Sequence, residues 1–135
     1  VLDAFAGTGA YGLEALSRGA ISATFIESDR AALVALRSNI AACKATQISN
    51  LIAADALNPP PGTPHNLAFL DPPYGRNLVA LALGALSKAN YFSVDTVFIA
   101  ELGPDDDFTP RNPLAVRQHG KARIIFWSSA QSFFS

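Results

Sequence analysis

Short apolar runs alternate with helical stripes along most of the chain. Residues 1–6 form an apolar run that ends in glycine, which predicts a buried strand. Residues 11–18 follow as a helix, with Leu13, Ala15 and Leu16 inward and Gly19 as its stop. Residues 23–26 read as a second strand closed by Glu27, and Ser28 or Asp29 can cap the next helix. That helix carries Leu33, Leu36, Ile40 and Cys43 on one face, which makes Cys43 a buried structural thiol. Residues 50–54 are a third strand ending at Asp55, and residues 67–70 a fourth ending at Asp71. Between them, residues 58–64 hold four prolines and a glycine, so a surface loop replaces a helix there. Leu78, Leu81, Ala82, Ala85 and Leu86 mark a third helical face, and residues 96–100 a fifth strand before Glu101. Then the helical period disappears. Residues 114–118 and 123–127 are strand-like runs around Gly120, which predicts an antiparallel pair at one edge of the sheet.

This alternation predicts an α/β fold, a doubly wound and mostly parallel sheet. Ligands of such sheets bind outside the carboxyl ends of the strands. Asp3 with the glycine turn, Glu27, Asp55, Asp71 and Glu101 all fall at such ends.

Composition narrows the picture. A chain of 135 residues, half of them hydrophobic, suits one domain with a real core. With 16% charged residues and a net charge of −1, it lacks the basic excess of a free-standing nucleic-acid binder. The single cysteine rules out an internal disulfide and a multi-cysteine metal site. His65 and His119 are far apart and have no partner cysteines, so no metal is expected. No apolar run reaches the ~18 residues of a membrane span, and no signal peptide precedes the first strand, so a cytoplasmic location is expected. There is no methionine, even at position 1, and the first residue already reads as strand. A trimmed fragment is the expectation.

Two segments carry the candidate chemistry. Asp71-Pro72-Pro73-Tyr74 puts an acid, two rigid residues and an aromatic ring at the mouth of a buried strand. The prolines fix φ at successive positions, and Pro73 restricts Pro72 further. A flat, amino-bearing ring could stack on Tyr74 while its NH2 donates to Asp71 and a backbone carbonyl. The other segment is Gly7-Thr8-Gly9, whose glycines allow a sharp turn and close approach of a ligand. Glu27 lies 20 residues past Gly7, the spacing at which an acid meets ribose hydroxyls, and Asp55 suits the adenine side. Gly7-Thr8-Gly9-Ala10-Tyr11-Gly12 also fits G-x-G-x-x-G, so an NAD-dependent oxidoreductase is an alternative. Against that, Asp3 offers nothing to a pyrophosphate, and the dinucleotide reading leaves residues 71–74 without a role. A non-catalytic scaffold of the same fold is a third reading.

The sequence from Val1 through Gly7-Thr8-Gly9-Ala10-Tyr11-Gly12-Leu13-Glu14-Ala15-Leu16-Ser17-Arg18-Gly19 resembles the first cofactor motif of the bacterial 16S ribosomal RNA guanine-N2 methyltransferases, the RsmD family. Phe25-Ile26-Glu27-Ser28-Asp29, Asp71-Pro72-Pro73-Tyr74 and Val97-Phe98-Ile99-Ala100-Glu101 extend the resemblance over nearly the whole chain. It implies a class I, Rossmann-like methyltransferase domain over residues 1–135 with seven strands, the last antiparallel. It implies S-adenosylmethionine as donor and a guanine of small-subunit RNA, naked or in an assembly intermediate, as acceptor. By the same resemblance Asp3, Phe5, Gly7 and Gly9 line the methionine part of the donor, Glu27 holds the ribose, and Asp55 and Ala56 flank the adenine. Asp71, Pro72 and Tyr74 are the catalytic set, with Pro73, Tyr74 and Arg76 toward the target base. The basic segment that precedes the first strand in the family is absent from this sequence, and Tyr11 stands where many relatives carry leucine. The four-residue motif alone is shared with methyltransferases of DNA adenine and protein glutamine. Arg76, Arg111, Arg117, His119, Lys121 and Arg123 are candidates for a modest RNA-facing rim, or are simply solvated charges.

Overall fold

A computed structural model describes residues 1–129. Seven strands form one sheet: β1 Leu2–Asp3, β2 Ala23–Glu27, β3 Ser49–Ala53, β4 His65–Leu70, β5 Phe92–Leu102, β6 Ala115–His119 and β7 Ala122–Ser128. Their order is β3-β2-β1-β4-β5-β7-β6. The first five neighbours run parallel, while β7 is antiparallel to both β5 and β6. The expected doubly wound sheet and its antiparallel edge pair are both present. The order reverses at β1, so β1 and β4 flank the switch point at which such sheets bind ligands.

Among the described residues three α-helices cover the sheet: α1 Ala10–Ser17, α2 Arg30–Ala42 and α3 Leu78–Lys88. Period-two alternation splits each strand between two faces. Phe25 faces Leu36, Ile40 and Ala6, with Leu13 and Leu16 of α1 packed against them. On the other face Leu2, Ala68, Leu70, Phe98, Ala100 and Ile125 pack with Val79, Ala82, Leu83 and Leu86 of α3. Gly12 lets α1 lie directly on Phe25: a Cβ there would stand 2.4 Å from the ring.

Four expectations change. Residues 1–6 contribute only Leu2–Asp3 to the ladder, although Ala4 N–H still reaches Phe69 O and Ala6 N–H reaches Ile26 O before the chain turns. Cys43 is exposed, because α2 ends at Ala42 and the chain reverses through Lys44 at φ 56. Ala45 takes the buried place instead. Leu81 is 61% exposed; it lies two residues, about 200° of helix, from Leu83. The fifth strand is much longer than its apolar centre, since Phe92 to Asp95 continue the extended backbone. Asp29, rather than Ser28, caps α2 by accepting from Ala32 N–H at 2.9 Å. Residues 58–64 form no helix; Gly62 packs on the ring of Tyr91, whose hydroxyl donates to Pro60 O.

Candidate active site

A cleft of about 650 Å³ opens at the carboxyl ends of the parallel strands. Phe5, Gly7, Glu27, Asp55, Ala56, Asp71, Pro72, Pro73, Tyr74 and Arg76 all line it. Residues named from sequence on four separate strand ends therefore share one hollow. Asp3 and Gly9 do not reach its surface. Gly9 is buried at φ 92, where a Cβ would meet Leu36 at 2.5 Å, so it serves the packing of the turn.

Asp3 lies just beneath, 1% exposed, and its Oδ2 accepts from Gly12 N–H at 3.0 Å. Burial pushes its carboxyl up to about 7, the Gly12 amide opposes that, and Asp71 and Glu27 add to it.

Glu27 ties the glycine turn to the end of β2. Its Oε1 accepts from Gly7 N–H at 2.7 Å, and its Oε2 from Ser28 and Asp29 N–H at 3.1 and 2.8 Å. Three amides fix this carboxylate on the cleft wall. Asp55, just past the end of β3, is exposed and accepts from Leu57 N–H at 2.9 Å.

Asp71 differs from these acids. Among the described residues no hydrogen bond supports its carboxylate, which is pushed up to about 6 by burial first and by the nearby Glu101 second. Its acceptor sites are open toward the cleft. Tyr74 follows, 49% exposed, and donates its hydroxyl to Glu101 Oε2. That bond, more than burial, pushes the phenol up to about 12. Glu101 Oε1 accepts from Tyr11 at 3.1 Å. The Tyr11 ring stacks on Phe69 with centroids 5.0 Å apart. Burial raises the Tyr11 phenol as well.

One supporting residue escaped the sequence reading. Asp106 is 6% exposed and accepts from Gly75, Asn77 and Gly103 N–H at 3.2, 3.0 and 2.8 Å. Burial would raise its carboxyl, but these amides outweigh that and hold it below the usual range. It pins the loop after Tyr74, where Gly75 and Asn77 both have positive φ. The middle acid of Asp105-Asp106-Asp107 carries no sequence signal that sets it apart from its exposed neighbours.

A second cavity of about 210 Å³ shares Asp71 and Glu101 with the cleft. Its other walls are apolar: Tyr11, Phe69, Ile99, Ile124 and Phe126 among them. Among the described residues, no group of three or more His, Cys, Asp or Glu could hold a metal ion. Nor is any helix among them long and apolar enough to cross a membrane.

Residues 1–126 match the model of the family described as conserved hypothetical protein 95. The chain belongs to this family. A curated relative, ribosomal RNA small subunit methyltransferase D of Escherichia coli (strain K12), is 40% identical over 102 residues, 74% of this chain and 51% of that protein. The solved structure of the putative methyltransferase yhhF from Escherichia coli is 34% identical, with a TM-score of 0.82, covering 94% of this chain and 73% of that one. An RNA methyltransferase from Salinibacter ruber, solved with S-adenosyl-L-homocysteine, is 14% identical with a TM-score of 0.69, over 94% of this chain and 78% of that one, and shares the fold. The resemblance read from the motifs and the class of fold are both met. The chain spans about half the length of the curated relative it matches.

Proposed function

We propose that this domain transfers a methyl group from S-adenosylmethionine to the exocyclic N2 amine of a guanine in small-subunit ribosomal RNA. The observation that carries the proposal is Asp71: an unsupported, half-buried carboxylate on the same cleft as Glu27 and Asp55.

The chemistry of the cleft suits that donor. Glu27, Asp29, Asp55, Asp71 and Glu101 line it against one cation, Arg76. Such an excess of carboxylates favours a sulfonium, an ammonium and a ribose diol, and repels a pyrophosphate. Gly9, the second glycine of the dinucleotide pattern, is buried in packing rather than open to a phosphate. Both points weigh against a nicotinamide cofactor. Glu27 would hold the ribose, Asp55 and Ala56 the adenine, and Phe5 and Gly7 the methionine side, with Asp3 and Gly9 shaping the turn beneath. When bound, the donor supplies an electrophilic methyl group on sulfur.

The guanine amine is a weak nucleophile because its lone pair is conjugated with the ring. Positive charge grows on that nitrogen as it takes the methyl group. Asp71 and the carbonyl of Pro72 accept its hydrogens, so they stabilise the transition state more than the ground state. The two prolines hold both acceptors in place, and orientation of the amine lowers the barrier further. The methylated amine is acidic and gives up its proton without a strong base. The base must leave its stack to reach the cleft, and Tyr74, held by Glu101 and flanked by Pro73 and Arg76, offers it a platform. Stacking on one aromatic contributes roughly 1–3 kcal/mol.

The test is methyl transfer to small-subunit RNA from cells lacking the gene, mapped by mass. One new N2-methylguanine is expected. Methylation at an adenine, or on protein alone, would overturn the substrate assignment.

A further inference from the structure

Charge is divided unevenly along the chain. Residues 108–135 carry Arg111, Arg117, Lys121 and Arg123 and no acid, while all 11 acidic residues precede them. The sheet folds residues 115–128 of this segment into the β6–β7 hairpin. Leu102, the last residue of β5, pairs with Arg123, and the hairpin ladder closes at His119 and Ala122. The turn at Gly120 and Lys121 therefore stands past the carboxyl end of β5, on the same edge of the sheet as Asp71 and Glu101.

Arg111, Arg117, His119 and Lys121 are exposed. Among the described residues the only ion pair joins Arg18 to Glu14, so these cations have no acidic partner. Arg117 meets only the neighbouring carbonyl of Val116. Arg123 is used differently: it donates to Asp106 O at 2.8 Å and so fastens the turn end of the hairpin to the residue that pins the 75–77 loop. The smaller cavity runs from Asp71 and Glu101 to Ile124 and Phe126 of β7. A trough with apolar walls thus links the acidic end of the cleft to the foot of a basic hairpin.

We propose that the β6–β7 hairpin is the docking surface for the RNA backbone, with Arg117 and Lys121 on phosphates beside the nucleotide whose base reaches Asp71. Exposed cations that join no ion pair among the described residues match a polyanion, and the apolar trough leads from their hairpin toward Asp71. An acidic protein partner would leave that trough unfilled. The proposal rests on the methyl-transfer reading above and extends it from the base to its backbone.

The test is fluorescence anisotropy with a labelled transcript of small-subunit ribosomal RNA, titrated between about 50 and 200 mM salt. Arg117→Ala with Lys121→Ala should weaken binding roughly tenfold at the lower salt. It should also reduce the slope of log K against log salt by about 1.4, at ~0.7 per phosphate contact on a single strand. Lys121→Ala alone, at the exposed hairpin tip, should give about half that change in slope. Arg37→Ala with Lys44→Ala removes the same charge beside the opposite edge of the sheet and should leave RNA affinity within about twofold. S-adenosylhomocysteine affinity should stay unchanged throughout. Wild-type RNA affinity and slope in both hairpin variants would overturn the proposal, and so would equal losses in the Arg37/Lys44 control. If the unaltered protein transfers methyl groups to RNA while the hairpin variants bind normally, only the docking surface is wrong. If it methylates no RNA at all, the reading beneath is wrong.

Discussion

Tyr11 donates its hydroxyl hydrogen to Glu101 at 3.1 Å, which joins the first turn of α1 to the end of β5 across the top of the sheet. Because Glu101 also accepts from Tyr74, one carboxylate fixes both rings. Tyr11→Phe keeps the stack on Phe69 and removes only the hydroxyl. The expected cost is about 1 kcal/mol in urea unfolding, with a raised KM for RNA as Glu101 gains freedom to swing. Unchanged stability and unchanged KM would mean that the bond holds nothing in place.

Asp71 should set the acidic limb of the activity profile. Its carboxyl is pushed up to about 6, and only the ionised carboxylate accepts from the amine without competing as a donor. Activity should fall as pH drops through about 6. Asp71→Ala should lower kcat on the order of 10²–10³-fold, by analogy with one lost oxyanion donor, and should abolish that limb. Rate measurements from acid to neutral pH check both.

Asp3 bears on stability. Its folded carboxyl sits near 7 against an ordinary 3.8, so the folded chain binds more protons than the unfolded one between those values. Stability contributed by the protonated form is full below the unfolded value and is lost as pH rises through about 7. Asp3→Asn keeps an acceptor for Gly12 and removes the titration. The slope of stability against pH between about 4 and 7 should flatten by up to about 1.4 kcal/mol per unit. Denaturant unfolding at several pH values reads this directly.

Gly12→Ala reverses the usual helix rule. Alanine is normally favoured over glycine in a helix by about 1 kcal/mol. Here the added methyl would stand 2.4 Å from Phe25, a fully buried ring with no room to retreat. Destabilisation of about 1–3 kcal/mol is expected, and a stabilised variant would show that α1 can lift off β2 freely.

The strand centres were legible because buried parallel strands need apolar runs, and their ends were legible because acids close four of them. The Gly7 turn, Glu27, Asp55 and Asp71 could be read as one group since the topology sends every parallel strand to the same edge. Cys43 and Leu81 were misplaced because helical period does not announce where a helix stops or how it is rotated. Asp106 could not be read at all: its role arises from three amides brought together by β5 and the loop after Tyr74. The part played by Tyr11 was hidden for a similar reason, because its partner Glu101 lies 90 residues away.

The donor chemistry of the cleft is the foundation of this reading, and titration calorimetry with S-adenosylhomocysteine and, separately, NADH tests it most directly. Micromolar binding of S-adenosylhomocysteine with no heat from NADH is expected, with the affinity reduced in Glu27→Ala. Binding of NADH with none of S-adenosylhomocysteine would contradict it.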